Sequence, residues 1–327
     1  MRLPSYTWLT DNEWQERIDR CDTIASSCGL CPRNCGADRF SGEKGFCRAP
    51  DHPVISSIFP HHGEEPPISG TGGSGTVFFS YCTLRCCFCQ NYQLSHLAEG
   101  ESFTPELLAE RMLILQEKGC HNINFVTATH FLPWVLRALR IAVQAGLSLP
   151  VVYNCGGFES VATLQVLNGI VDIYLPDMKY GDDLCAATYS GAAEYRTHNR
   201  VAIREMFRQV GVLRCDDNGI ARRGLCIRHL VLPDGKAGSG EVFRWLSSVF
   251  DPEDVHISLM AQYRPLYNAD THQEINRMVT ADEYNEVKNL VVRAGFPGFF
   301  QDVASLDKKF VIDFSKRKEQ ALTGDDE

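Results

Sequence analysis

The 327-residue sequence lacks several features that would assign it to large classes of proteins. No apolar run approaches the roughly 20 residues that a membrane-spanning helix needs, and the first residues include no apolar segment typical of a secretory signal. Positive charge is also not in excess, because 41 acidic side chains outnumber 32 basic ones and the net charge is -9. Since nucleic-acid binders neutralise phosphates with a basic surface, we expect no nucleic-acid binding, no membrane insertion and a cytoplasmic protein.

Cysteine, by contrast, is abundant, with 14 residues in the chain. A secreted disulfide scaffold is normally short, whereas thiols in a reducing cytosol stay free and available to metals. Seven of the cysteines are clustered in two groups: the N-terminal cysteine group (Cys28, Cys31, Cys35 and Cys47) and the strand-end cysteine group (Cys82, Cys86 and Cys89). This clustering favours metal sites over scattered thiols of a hydrophobic core.

Six short apolar segments alternate with helical patterns from residue 76 onward: TVFFS, INFVT, LPVVYN, VDIYLPD, CIRHLVLP and VHISLMAQY. Strands that alternate with helices predict a parallel sheet with right-handed crossovers. Six units fit either an open partial barrel or a doubly wound sheet, and in both the chemistry gathers at the C-terminal ends of the strands. The fold class that we predict is α/β, with a partial (β/α)6 TIM-like barrel.

Domain organisation follows from the change in pattern along the chain. We predict a Cys-rich metal-binding module with its connecting loop over residues 1–70, the barrel over 71–300 and a polar tail over 301–327. Within the first part, one short helix is expected near Asn12–Cys21, and the Gly- and Pro-rich stretch His61–Gly75 is expected to form a loop. The paired His61–His62 and Glu64–Glu65 in that stretch receive no role.

The strand-end cysteine group has the spacing C-x-x-x-C-x-x-C and directly follows the first predicted strand. Three thiolates on one short loop can bind three corners of a [4Fe–4S] cluster and leave the fourth iron open to another ligand. The alternatives are core cysteines or a tetrahedral zinc site with Cys87 as fourth ligand, although adjacent thiols rarely converge on one ion. Spacing and position together favour the cluster, with Cys87 as a packing residue.

The stretch GGSGTVFFSYCTLRCCFCQN and the β/α order resemble the radical S-adenosylmethionine superfamily. More narrowly, the chain is similar to the activases of pyruvate formate-lyase, especially their PflX-type branch, from CGLCPRNC through HLVLP to SLMAQY. The resemblance implies that S-adenosylmethionine binds the open iron and that an electron donor such as flavodoxin or ferredoxin drives its cleavage to methionine and a 5′-deoxyadenosyl radical.

A glycyl residue of a partner enzyme is the substrate that this resemblance implies. The first alternative is a radical enzyme that modifies a small molecule or a peptide. An alternative of another class is a catalytically inactive, zinc-binding interaction protein, because the chain lacks the Gly-Gly-Glu motif that many activases carry after the second strand.

Polar residues after the second and third strands are candidates for cofactor contact. Thr127, Thr129 and His130 occupy the place of the Gly-Gly-Glu motif, and their hydroxyl and imidazole groups can bind an ammonium or a carboxylate. Thr129 or His130 can equally cap the next helix. After the third strand, Asn154 is expected to point into the mouth of the barrel, where the neighbouring glycines are also consistent with a tight turn.

The later strands carry charged candidates. Asp177 and Lys179 alternate in sequence, so both face one side of an extended segment, and they are similar to an Asp-x-Lys pair near the cofactor carboxylate in the activases. A surface ion pair is the alternative. Arg228 lies within an apolar strand, where it either faces cofactor or substrate or forms an internal ion pair, for example with Asp177. Gln262 is a candidate for contact with the adenine or the substrate.

The N-terminal cysteine group has the spacing C-x-x-C-x-x-x-C, with a fourth thiol further along the chain. Four thiolates can close a structural zinc site or hold an auxiliary iron–sulfur cluster. The PflX-type branch carries a similar module. We favour iron–sulfur over zinc for this second metal centre, and in either case the loop-rich segment needs a metal because it lacks a core of its own.

Overall fold

The computed structural model describes residues 3–303 together with residues 312 and 314. Ten strands lie in this part of the chain: β1 (Val54–His61), β2 (Ser74–Phe79), β3 (Glu101–Ser102), β4 (Ile123–Val126), β5 (Val151–Cys155), β6 (Ile173–Pro176), β7 (Arg214–Cys215), β8 (Ala221–Leu230), β9 (His256–Met260) and β10 (Gly298–Phe300). The α-helices within it are α1 (Asp11–Ser26), α2 (Pro66–Ser69), α3 (Tyr92–Ser95), α4 (Pro105–Glu117), α5 (Leu132–Gln144), α6 (Val161–Leu167), α7 (Asp183–Ser190), α8 (Tyr195–Val210), α9 (Ser239–Val249) and α10 (Ala281–Arg293).

The parallel strands follow one another in space as they do in the chain: β2, β4, β5, β6, β8, β9 and β10. A doubly wound sheet reverses its strand order at a switch point. The unbroken order therefore identifies the open partial barrel, and the predicted fold class is confirmed. Strand β10 is a seventh parallel strand that the sequence analysis did not identify, because three residues are too few to show a pattern.

The N-terminal third is more regular than the sequence predicted. Helix α1 extends beyond the expected Asn12–Cys21 to Ser26, and Thr10 and Glu13 form a reciprocal capping box at its start. Strand β1 was not predicted at all, and it pairs antiparallel with β2, with His61 opposite Ser74. The turn between β1 and β2, which includes α2, consequently lies at the N-terminal end of the barrel strands.

Helix α1 packs on the outside of the barrel against α5 and α6. An ion pair between Asp22 and Arg137 links α1 to α5. No helix among residues 3–303 has the length and apolar character needed to cross a membrane. The domain boundaries near residues 70 and 300 stay predictions, and most of the predicted tail over 301–327 lies outside the described residues.

Candidate functional site

A cavity of about 730 Å³ lies in the interior of the barrel, and its lining includes residues at the C-terminal ends of the strands. The strand-end cysteine group lines it, together with six of the eight predicted cofactor residues: Thr127, Asn154, Asp177, Lys179, Arg228 and Gln262. Parallel strands bring their C-terminal ends to one edge of a sheet, so residues far apart in sequence meet here. We call this space the barrel cavity.

The strand-end cysteine group begins immediately after β2, where Tyr81 takes a left-handed backbone conformation (φ 67°) and turns the chain. Each of the three sulfurs accepts a hydrogen bond from the protein: Leu84 N to Cys82 Sγ (3.3 Å), Ser190 Oγ to Cys86 Sγ (2.9 Å) and Ser95 Oγ to Cys89 Sγ (3.1 Å). Donors of this kind stabilise a thiolate more than a thiol. The loop is therefore prepared for deprotonated sulfur, the form that binds metals.

Burial raises the pKa of the Cys82 thiol well above its usual value and that of Cys89 to about 11, and the neighbouring Cys86 adds to both shifts. The positive charge of Lys179 acts on both thiols in the opposite direction. Without a metal these groups are protonated at neutral pH, so metal binding has to displace the protons. Cys87 does not line the barrel cavity, and its N–H donates to Tyr189 O at 2.8 Å.

Asp177 binds two cations on the wall of the barrel cavity. Its carboxylate accepts hydrogen bonds from Lys179 Nζ and from Arg228 Nε, the latter at 2.8 Å. Burial raises the pKa of Asp177, but the two cations together hold it below its usual range. The internal ion pair that was one alternative for Arg228 therefore exists, and it faces the cavity. Arg228 Nη2 also donates to Asn154 Oδ1 at 2.7 Å.

Glu64, to which the sequence assigned no role, extends this network toward the N-terminal end of the barrel. Its Oε1 accepts hydrogen bonds from Asn124 Nδ2 (3.0 Å) and Asn154 Nδ2 (3.1 Å), and its Oε2 lies 3.7 Å from Arg228 Nη1. Burial raises the pKa of Glu64, and the charge of Arg228 opposes that shift. Glu64 was missed because its place in the barrel depends on β1, whose residues show no clear strand pattern.

Glu65 lines the same end of the barrel cavity. Burial and the neighbouring Glu64 raise its pKa, and one of its carboxyl oxygens has no hydrogen-bond partner in the described part of the chain. The barrel cavity thus has the strand-end cysteine group at one end and two acidic side chains at the other. Apolar side chains, among them Phe79, Leu84 and Met260, also line the cavity.

Of the remaining candidates, Thr127 and Gln262 lie on the barrel cavity. Thr127 has a left-handed backbone (φ 62°) and donates its N–H to Asn154 O at 2.9 Å. The side chain of Gln262 donates to Gln90 Oε1 (3.0 Å) and accepts from Gln301 Nε2 (2.7 Å). These three glutamines form one connected part of the cavity lining.

Thr129 and His130 lie behind the wall of the barrel cavity and not on it. The Thr129 hydroxyl is buried against Tyr153 OH (2.9 Å) and the Glu159 carboxylate (3.0 Å). Both Thr129 and His130 belong to a 3-10 turn over Thr129–Phe131 that precedes α5 and directs these side chains away from the barrel interior. The structure thus separates them from the other six candidates.

The N-terminal cysteine group lines a second, much smaller cavity of about 10 Å³, which also includes His130 and Arg33. The guanidinium of Arg33 donates to Thr83 O (3.2 Å) and Ser190 O (3.4 Å), and so connects this cavity to the loop of the strand-end cysteine group. Burial raises the pKa of Cys28 to about 11. Within the described residues, no three His, Cys, Asp or Glu side chains are already spaced to hold one metal ion.

Comparisons with known proteins add the following. No protein-family model matches the chain. Over 284 aligned residues, it is 28% identical to an uncharacterized protein of Methanocaldococcus jannaschii. The alignment covers 84% of this chain and 77% of that protein. Among solved structures, it is similar to a radical SAM methyltransferase from Sphaerobacter thermophilus (TM-score 0.47, 15% identity, 70% of this chain and 67% of that one). It is also similar to HydG, a maturase of the [FeFe]-hydrogenase, with a TM-score of 0.48 and 13% identity. That match covers 98% of this chain and 67% of HydG.

Proposed function

We propose that this protein is a radical S-adenosylmethionine enzyme whose strand-end cysteine group holds a [4Fe–4S] cluster. The observation that carries the proposal is that Cys82, Cys86 and Cys89 line one cavity with the charged network of Asp177 and Arg228 at the strand ends. When bound, the cluster and its cofactor supply one-electron cleavage of a sulfonium C–S bond, which yields methionine and a 5′-deoxyadenosyl radical. A flavodoxin or ferredoxin is the proposed source of the electron.

The residues present fit such a cluster by their chemistry. Iron–sulfur clusters prefer soft thiolate ligands, and each thiolate binds a different iron, so the sulfurs need not converge on a single point as the ligands of a zinc ion do. All three sulfurs accept hydrogen bonds from the protein, and Lys179 places a positive charge near them. Both features favour negatively charged sulfur at this position.

The walls of the barrel cavity fit the proposed cofactor because they carry both signs of charge. The amino-acid part of S-adenosylmethionine has an ammonium and a carboxylate, which require acceptors and cations. Lys179 and Arg228 provide the cations, and Asp177 provides a carboxylate beside them. The chain's own contribution is to bind and orient the ligand through these groups inside the barrel.

For the substrate we propose a glycyl residue of a partner enzyme, which rests on the resemblance to the activases. A small molecule or a peptide side chain is a second candidate, and it is favoured by the extension of the barrel cavity from the cysteines to Glu64 and Glu65. That extension offers space and polar partners inside the barrel. Deuterium transferred from a labelled glycyl residue of a partner to 5′-deoxyadenosine would select the first substrate class.

The decisive experiment is anaerobic reconstitution of the full chain with iron and sulfide, followed by a reductant, S-adenosylmethionine and measurement of 5′-deoxyadenosine. We expect about four iron and four sulfide per strand-end site and formation of the product. A chain that binds zinc alone and forms no 5′-deoxyadenosine would overturn the proposal and support the inactive interaction protein.

A further inference from the structure

Glu65 is a buried acid that lacks an ion pair within the described residues. It lines the barrel cavity, is 8% exposed and has one carboxyl oxygen, Oε2, without a hydrogen-bond partner in that part of the chain. The nearby cations pair with other acids: Lys179 with Asp177, and Arg228 with Asp177 and Glu64. A buried carboxyl in this state is costly unless a further group binds it.

A second acceptor without a donor lies at the same end of the barrel. Asn124 is fully buried and donates from Nδ2 to Glu64 Oε1 at 3.0 Å, which orients its amide. The other amide atom, Oδ1, has no hydrogen-bond partner among the residues described. Folded proteins rarely leave buried acceptors unsatisfied. This end of the barrel therefore needs hydrogen-bond donors that the described residues do not supply.

The charges of the barrel cavity favour a donor that is also a cation. Among the described residues that line it, four are acidic (Asp177, Asp302, Glu64 and Glu65) and two are Lys or Arg (Lys179 and Arg228). Burial raises the pKa of both glutamates, and the charge of Glu64 adds to the shift of Glu65. A cation bound beside them would stabilise both carboxylates in their ionised form and offset the repulsion between them.

The cavity wall changes from polar to apolar next to these acids. Arg228 of β8 is paired in register with Ser258 of β9, and the Ser258 side chain bonds to the Glu65 carboxyl. Two residues further along the strands, Leu230 is paired with Met260. All of these residues line the cavity, and alternate residues of a strand face the same side. A ligand that spans both layers needs a polar head and an apolar stem.

We propose that the end of the barrel cavity at Glu64 and Glu65 binds the ammonium group of a small-molecule amine, whose carbon chain lies against Leu230 and Met260. An ammonium group supplies one positive charge and three N–H donors. These match the unpaired acid Glu65 and the unsatisfied amide oxygen of Asn124. The inference rests on the proposed radical function, and it names the class of substrate within the second candidate given there, a small molecule.

The test is calorimetric binding of two probes of nearly equal size, hexylammonium and neutral 1-hexanol, to the anaerobically reconstituted full chain. Neither S-adenosylmethionine nor a reductant is added. We expect hexylammonium to bind at one site per chain near pH 7, at least about tenfold more tightly than 1-hexanol, because charge-assisted hydrogen bonds are stronger than neutral ones. Equal affinities, or no saturable binding of hexylammonium, would overturn the proposal. Failure to form 5′-deoxyadenosine would instead overturn the proposed function and leave the binding result unchanged.

Three variants locate the site. Glu65→Gln keeps the size of the side chain but removes its charge, so the preference for hexylammonium over 1-hexanol should fall by about tenfold or more. Glu65→Asp retains the charge and should keep most of the preference, which separates charge from packing. Asp302→Asn is the matched control, because Asp302 lines the same cavity but is exposed and follows β10. An unchanged preference in Glu65→Gln, or an equal loss in Asp302→Asn, would contradict the proposed site.

Discussion

The two cysteine groups of this chain use the same ligand atom in opposite surroundings. The strand-end cysteine group faces a barrel cavity of about 730 Å³, whereas the N-terminal cysteine group encloses about 10 Å³ together with His130. Catalytic metal sites keep a coordination position open to a substrate, and structural sites are closed by protein ligands. The difference between the groups therefore separates a large cavity, which fits the proposed reactive centre, from a small pocket, although both groups are clusters of Cys in the sequence.

The largest expected effect is on the strand-end cysteine group. Single substitution of Cys82, Cys86 or Cys89 by Ala should reduce 5′-deoxyadenosine formation to background, because each removes one cluster ligand. Cys87→Ala is the matched control, since Cys87 lies on the same loop but does not line the barrel cavity. Product assays after anaerobic reconstitution check this, with zinc content measured in parallel. Retained activity in a variant of the three, or loss of activity in Cys87→Ala, would contradict the assignment.

Substitution of one arginine in each region compares the contributions of the two regions to stability. Arg228→Met leaves Glu64 without a cation and Asp177 with Lys179 alone, and we expect the free energy of unfolding to fall by about 3–5 kcal/mol. Arg39→Met near the N-terminal cysteine group removes hydrogen bonds to backbone carbonyls only, so a loss of about 1–3 kcal/mol is expected. Urea denaturation of the metal-loaded protein measures both. Equal losses would show that the carboxylates do not depend on Arg228.

A pH effect is expected at Glu159, which is buried behind the wall of the barrel cavity. Burial raises its pKa from the ordinary value of 4.5 to about 8, in spite of hydrogen bonds from Thr129 and Tyr153. Between these pH values the folded chain keeps a proton that the unfolded chain has released. The free energy of unfolding should therefore fall as pH rises from about 4.5 to about 8, by up to about 1.4 kcal/mol per pH unit.

Glu159→Gln provides the comparison for this effect. Its amide is neutral at every pH in the window, so its unfolding free energy should vary less with pH than that of the parent chain. Relative to the parent, the variant should gain stability toward pH 8. Thermal unfolding at several pH values measures the difference, and parallel pH profiles for the two proteins would rule out a proton held by Glu159.

The smallest expected effect concerns Arg33, which connects the two regions. Arg33→Gln removes hydrogen bonds to Thr83 O and Ser190 O and should lower the free energy of unfolding by about 1–2 kcal/mol. Arg33→Lys keeps the positive charge but cannot reach several carbonyls at once, so it should resemble the Gln variant. Full stability in Arg33→Lys would indicate that charge, and not the bridging geometry, accounts for the contribution.

The sequence was informative wherever a feature is local. Apolar segments alternating with helical ones predicted six of the parallel strands. Strand β1 escaped notice because antiparallel pairing with β2 stabilises it, and its own residues show no clear strand pattern. Thr129 and His130 were expected near the cofactor because they follow β4, but a 3-10 turn directs them outward.

By itself, the sequence determined the spacing of the cysteines, the order of strands and helices and the position of the strand-end cysteine group after a strand, because these depend on neighbouring residues along the chain. The tertiary structure alone decided that Glu64 reaches Arg228 inside the barrel and that His130 joins the N-terminal cysteine group. Contacts between residues many tens of positions apart depend on how strands pair and where turns direct side chains. No local pattern specifies those geometries.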